Sequence, residues 1–401
     1  MVTVSEQYEA FPYPARDPAE EKSRLVTGSP SNPVEMDHFL WGGQRDWSKR
    51  LRVLVAGGGT GDGLIQLAQL MTDARRPYDI TYVDLSRASR GVAEARAKVR
   101  GLKNIRFLTG SLLDAPDLGQ FDYIDCCGVL HHLPDPAAGF RALRAACAPG
   151  GGLGFMVYAP LGRSGVYPLQ RAFGAMFDGL PPEDRLTAAR KVFVALPDAH
   201  PFKRNPNLGD HKSSDAGFYD LLLHGQDRAY SVPDLLAELA GAGWALSDFA
   251  SPGQYDPSRF GPVPDAMDRP ARMALAEDLS GTLKVHVGYA VPADDPRQPA
   301  GGAAPDLIPH LKGGPPQALA GAVAQGRPIP IKSGQETITL SLPPEAAPLI
   351  ARIDGRSSIG AITKAAGLTT DTARPLWLAL EQALSPWGLY QYSALLKGRV
   401  R

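Results

Sequence analysis

Cysteine is scarce, with three in 401 residues: Cys126, Cys127 and Cys147. Cys126 and Cys127 are neighbours in an apolar run, where successive side chains of a strand face opposite ways. None of the three stands at a metal-ligand spacing, so no metal site is expected, and reduced, mostly buried thiols in a cytoplasmic protein are. Excess charge of either sign is also missing, since Lys+Arg and Asp+Glu are both 42. That balance removes bulk attraction to nucleic acid or to an anionic membrane. No apolar stretch approaches the ~20 residues needed to cross a bilayer. The opening MVTVSEQYEAFPYP lacks a basic-then-apolar leader pattern, and no repeat recurs at solenoid periods. Apolar residues are not lacking: at 44% hydrophobic content the chain can build a sizeable core, and its length suits two or three domains.

The most informative stretch is LRVLVAGGGTGDG, residues 51–63. Leu51, Val53, Leu54 and Val55 read as a buried parallel strand. The run breaks into Gly57, Gly58, Gly59, Thr60 and Gly61, and a helical pattern follows at Leu64, Leu67, Ala68 and Met71. Glycines let a backbone approach a ligand closely, and a helix N-terminus offers unpaired N–H groups to it. Strand, glycine turn and helix together open a nucleotide-binding βαβ unit.

Downstream, strand and helix patterns alternate. Strands are expected at 80–84, 105–108, 121–127 and 153–158. Helices are expected after Ser86, ending near Gly101, and after Asp135-Pro136, carrying Phe140, Leu143 and Cys147. Such alternation implies an α/β fold with a doubly wound parallel sheet. Residues 1–50, rich in aromatics and proline, are too few for their own core and should cap the domain at 51–290. Residues 161–230 break the rhythm and read as a helical insertion. A helix opening at Ser231, then strands at 244–249 and 283–289, would finish the sheet. Residues 291–305 have linker composition. Beyond them, a strand at 337–342 and helices near 345–353, 357–366 and 371–384 suggest a small winged-helix-like α+β domain at 306–401.

Chemistry gathers at the ends of these strands. Asp84 closes the second strand, 23 residues beyond Gly61, where an acidic side chain can accept from two ribose hydroxyls. Gly110-Ser111-Leu112-Leu113-Asp114 follows the third strand. FDYIDCCGVLHHL, 121–133, puts Gly128 and Val129 at the carboxyl end of the fourth.

VLVAGGGTG, Asp84, TGSLLD, FDYIDCCGVLHHL and the APGG turn at 148–151, in that order, resemble the motifs of class I S-adenosylmethionine-dependent methyltransferases. The likeness covers about residues 50–160. It implies a Rossmann-like sheet and S-adenosylmethionine as cofactor. On that resemblance Gly57, Gly58, Gly59 and Gly61 cradle the methionine portion, Asp84 binds the ribose with Leu85 beside the adenine, Ser111 and Leu112 edge the adenine, and Gly128 and Val129 wall the sulfonium. Two positions depart from the pattern. The family usually has an acid where this chain has Val55, and often an Asp at Ser111. An acid at the first position helps hold the ligand's ammonium group, and Asp62 is a candidate to replace it.

Methyl transfer asks for positioning and exclusion of water more than for a catalytic group. A base is needed only for a protonated acceptor. The candidates to meet the acceptor are His131, His132, Tyr158 and His224, with Asp227 and Tyr230 close to the last. The expected function is methyl transfer to a small molecule or a protein side chain, with a homodimer compatible with the sequence. The rival is a non-catalytic cofactor-binding regulator signalling through its C-terminal domain. No nucleic acid or membrane partner is expected, because the charge is balanced and no Asn/Asp-Pro-Pro-Tyr-type motif for flipped bases is present.

Overall fold

A computed structural model describes residues 2–334 and 336–398. Seven strands form its main sheet: β1 (Leu51–Ala56), β2 (Tyr78–Asp84), β3 (Ile105–Thr109), β4 (Phe121–Cys127), β5 (Cys147–Tyr158), β6 (Trp244–Phe249) and β7 (Val285–Pro292). Their spatial order is 3-2-1-4-5-7-6. The first five run parallel, while β7 enters antiparallel between β5 and β6, so the sheet is mixed rather than wholly parallel.

The apolar run of β1 is explained by its central place. Leu54 packs into one face's cluster with Ile124, Leu143 and Phe155; Val53 and Val55 pack into the other with Leu64, Leu67 and Tyr82. After β1 the chain builds outward through β2 and β3, then returns to the other side of β1 as β4. That reversal opens a crevice at the carboxyl ends of β1 and β4, where open α/β sheets bind ligands.

Local signals fix the connections. Gly61, at φ 97°, starts the helix Asp62–Asp73. Ser86 caps Arg87–Val99 by accepting from the Ser89 amide at 3.0 Å, and Gly101 follows at φ 66°. Asp135 caps Pro136–Ala146. Cys147, expected on that helix, instead begins β5, and the glycines at 150–152 lie within that strand.

Residues 2–50 lie along the main domain. They carry the helix Val4–Ala10, a short 3-10 turn Pro18–Lys22 and the helix Pro33–Leu40. The insertion folds mainly as helices Val166–Phe177, Pro182–Ala195 and Asp215–Leu222 around Phe173, Phe218 and Leu222. Toward the C-terminus, helices including Thr370–Leu384 pack around Leu349, Trp377 and Leu380. The strand expected at 337–342 is Glu336–Leu340, and it pairs with Ile329–Ser333, which the sequence pattern did not reveal.

The last described residues return to the first domain. Leu395 is buried beside Trp47 and Leu51. The Asp37 carboxylate, buried in Pro33–Leu40, accepts from Ser393 Oγ (2.7 Å), the Ala394 amide (2.8 Å) and Trp47 Nε1 (2.8 Å). Lys312 Nζ lies 2.7 Å from Glu35 on the same helix.

Candidate functional site

A cavity of about 550 Å³ opens at the carboxyl ends of β1 and β4. Its size falls in the range of small-molecule and cofactor sites. The glycine turn forms one wall, and three of its glycines have no room for a side chain. A Cβ on Gly57, at φ 71°, would lie 2.5 Å from a Val129 methyl; on Gly58 it would lie 2.2 Å from the Tyr82 ring. On Gly59, at φ 52°, it would meet the Tyr13 carbonyl at 2.9 Å. The bare backbone is therefore required by its protein neighbours.

Asp84 locks this turn. One carboxylate oxygen accepts from the Gly59 amide and the other from the Ser86 amide, each at 2.8 Å. It thus ties the glycine turn to the helix after β2. A carboxylate has about four lone-pair sites, so about two remain without a partner among the described residues. Burial raises its pKa, against the two amides.

Of the residues the sequence singled out, Gly57, Gly58, Gly59, Asp62, Asp84, Leu85, Ser111, Leu112, Gly128, Val129, His132 and Tyr158 line the cavity. Gly61, His131 and His224 do not. Gly61 shapes the helix start and packs against Ala93. His131 is fully buried, its ring 3.8 Å from that of Tyr158 and 4.1 Å from that of His132. Burial drives its pKa far down and keeps it neutral. His224 stacks behind His132 at 3.8 Å and is likewise held neutral by burial. Ser111 spends its hydroxyl oxygen capping the 3-10 turn Leu112–Asp114, accepting from the Leu113 amide at 3.1 Å.

Asp62 is not a free acid. It takes Arg16 Nε at 2.8 Å and Arg96 Nη1 at 2.7 Å. Burial works against its charge, yet these guanidiniums hold its carboxyl below the usual range. Arg16 and Thr60, whose hydroxyl donates to the Pro14 carbonyl at 2.7 Å, clasp the N-terminal segment over the turn.

Beyond the glycine turn the cavity becomes polar. His132 Nδ1 lies 2.9 Å from the Gln226 carbonyl, which can only accept, so Nδ1 carries the hydrogen. Nε2 is left as a buried lone pair with no protein partner. Next to it Asp220 accepts from Tyr8 (2.8 Å) and Tyr158 (3.3 Å). The Arg163 guanidinium lies 3.6 Å over the Tyr158 ring and pairs with buried Asp227 at 2.8 Å. Asp227 and Tyr230 thus back the wall without lining it.

His132, Asp220 and His224 bring ligand-type atoms within 4.8 Å of one another. Two features speak against a metal there. The His132 and His224 rings are nearly parallel, 17° apart, whereas a metal lies in the plane of each imidazole that binds it. His224 Nδ1 also accepts the Gln226 amide at 3.1 Å, so neutral His224 carries its hydrogen on Nε2.

Sequence reasoning did not single out Ser31, Asp125, Arg163 or Asp220, all of which line the cavity. For Asp125 a signal existed: a lone carboxylate in the apolar run Tyr-Ile-Asp-Cys-Cys.

Residues 54–153 match the family model described as methyltransferase domain. An uncharacterized protein of Synechococcus sp. is 32% identical over 279 residues, covering 66% of this chain and 64% of that one. The ubiquinone biosynthesis O-methyltransferase of Aeromonas salmonicida is 30% identical over 121 residues, covering 30% of this chain and 48% of it. The chain therefore spans less than two thirds of either relative. The solved structure of PKMT2 from Rickettsia typhi shares the fold, with TM-score 0.54 at 15% identity over 79% of this chain and 63% of that one. The same protein in complex with AdoHcy gives 0.53 at 14%, over 79% and 62%. Residues 54–153 thus carry a methyltransferase domain, set in a seven-stranded Rossmann-like fold.

Proposed function

We propose that the chain transfers a methyl group from S-adenosylmethionine to a small molecule or protein side chain. The observation that carries this is the single cavity wall made by the glycine turn and Asp84, continuous with a pocket where His132 Nε2 is a free buried lone pair. When bound, the cofactor supplies a methyl on a sulfonium, a good leaving group. The protein's share is then to place the acceptor in line, to exclude water and to take up a proton.

The N-terminal segment does the excluding: Tyr8 donates to Asp220, Arg16 grips Asp62, and Glu21 pairs with fully buried Arg96 at 2.6 Å. In this reading His132 takes the acceptor's proton on Nε2, and the Gln226 carbonyl at Nδ1 sets its tautomer. Asp220, Tyr8 and Tyr158 orient the acceptor's polar atom. Two features of the expected setting stay with this reading. A cytoplasmic location suits three free cysteines, and no helix among the described residues is long and apolar enough to cross a membrane.

The test is transfer of labelled methyl from S-adenosylmethionine to fractionated cell extract, with mass spectrometry of the product. Transfer that depends on His132 supports the reading. Binding of cofactor with no transfer to any fraction overturns it in favour of a regulator.

A further inference from the structure

Five carboxylates line the cavity: Asp62, Asp84, Asp125, Asp210 and Asp220. Asp62 is neutralised by two arginines, Asp84 holds two backbone amides, and Asp220 takes two tyrosine hydroxyls. Asp210, on the insertion, is partly exposed to solvent. Asp125 differs from all of these. It is 2% exposed, its one hydrogen bond comes from Ser31 Oγ, and no cation pairs with it among the described residues. Burying a carboxylate without a counter-charge is costly, and such groups normally face a cation.

Its position says which cation. Asp125 stands directly beside Val55 in the parallel register of β1 and β4, so both side chains leave the same face of the sheet. Asp84, at the end of β2, flanks β1 on the other side. A ligand whose ribose is held at Asp84 and whose chain crosses the glycine turn therefore brings its far end to Asp125. Gly63 leaves room for the Ser31–Asp125 pair at the cavity wall: a Cβ there would lie 2.4 Å from Ser31 Oγ and 3.1 Å from the Asp125 carboxylate.

We propose that Asp125, oriented by Ser31, receives the α-ammonium of the cofactor's amino-acid tail, so that the acid absent from Val55 is supplied from the neighbouring strand. This rests on the methyltransferase reading above, and it replaces Asp62 in the role the sequence suggested.

The test is calorimetry on the full chain with two ligands that share the adenosine and thioether, S-adenosylhomocysteine and 5′-methylthioadenosine. Only the first carries the ammonium. Asp125→Asn, which keeps an acceptor for Ser31, is expected to weaken S-adenosylhomocysteine by about tenfold or more while leaving 5′-methylthioadenosine within about twofold. Ser31→Ala, which keeps the charge but frees the carboxylate, is expected to give a smaller loss confined to the same ligand. The assignment is overturned if Asp125→Asn binds S-adenosylhomocysteine as tightly as the parent chain, or if both variants lose the two ligands equally. Failure of the parent chain to bind either ligand would sink the methyltransferase reading itself, which separates the two claims.

Discussion

Replacing Asp125 by Asn should make the ligand-free protein more stable at neutral pH while making it a poorer binder of S-adenosylhomocysteine. Burial pushes the Asp125 carboxyl up to about 6 from 3.8, only partly offset by the Ser31 hydroxyl. The folded protein therefore binds this proton more tightly than the unfolded chain does. Between the two values stability falls as pH rises, and above about 6 the whole penalty is present. At 1.36 kcal/mol per unit, the shift corresponds to an upper figure of ~3 kcal/mol. Asn carries no charge and can still accept from Ser31, so it should recover much of that figure at pH 7.5 and almost none at pH 4, where Asp125 is already protonated for most of the time. The Tyr123 hydroxyl and the Cys126 thiol, which feel the same carboxylate, do not titrate in that window, because burial lifts both well above it. Urea or thermal unfolding of both proteins at the two pH values reads the difference directly. If Asp125→Asn is no more stable than the parent at pH 7.5, or gains equally at both values, the carboxylate is not the uncompensated charge inferred from the structure.

Four further outcomes are expected. Gly58→Ala should displace Tyr82, whose ring atom would lie 2.2 Å from the new methyl, and calorimetry should find cofactor binding lost and unfolding shifted to lower temperature. Asp84→Asn should weaken S-adenosylhomocysteine and 5′-methylthioadenosine alike, since both carry the ribose; selective loss of one would remove Asp84 from the ribose site. His132→Asn keeps a donor for the Gln226 carbonyl but has no base, so kcat for a protonated acceptor should fall by about 10²–10⁴ with S-adenosylhomocysteine affinity unchanged. Ending the chain before Ser393 removes two donors from the buried Asp37 carboxylate, each worth ~1–3 kcal/mol, and chemical unfolding should show the first domain destabilised.

Much of the fold was legible because its signals are local. The glycine turn, the apolar runs of β1 and β4, the Ser86 and Asp135 caps and the position of Asp84 each follow from a few neighbouring residues. What was not legible depends on residues far apart in the chain. Nothing in Val285–Pro292 says that it slots antiparallel between β5 and β6. Asp125 gains its meaning from a register that sets it beside Val55, 70 positions earlier. Asp62 looked available until Arg16 and Arg96, from the N-terminal segment and the helix after β2, closed on it. The adjacent His131 and His132 could not be told apart by sequence. The tight turn Leu130–His132 sends His131 into the packing under Tyr158 and His132 to the cavity. Likewise 306–401 read as separable, yet Ser393, Ala394 and Leu395 are built into the first domain.

The most direct test of the account is a titration of the full chain with S-adenosylhomocysteine, followed by the same titration of Asp84→Asn. One site per chain, weakened about tenfold or more by that substitution, is the result required by a cofactor gripped between the glycine turn and the end of β2. No binding to the parent chain, or equal binding to both proteins, would contradict it.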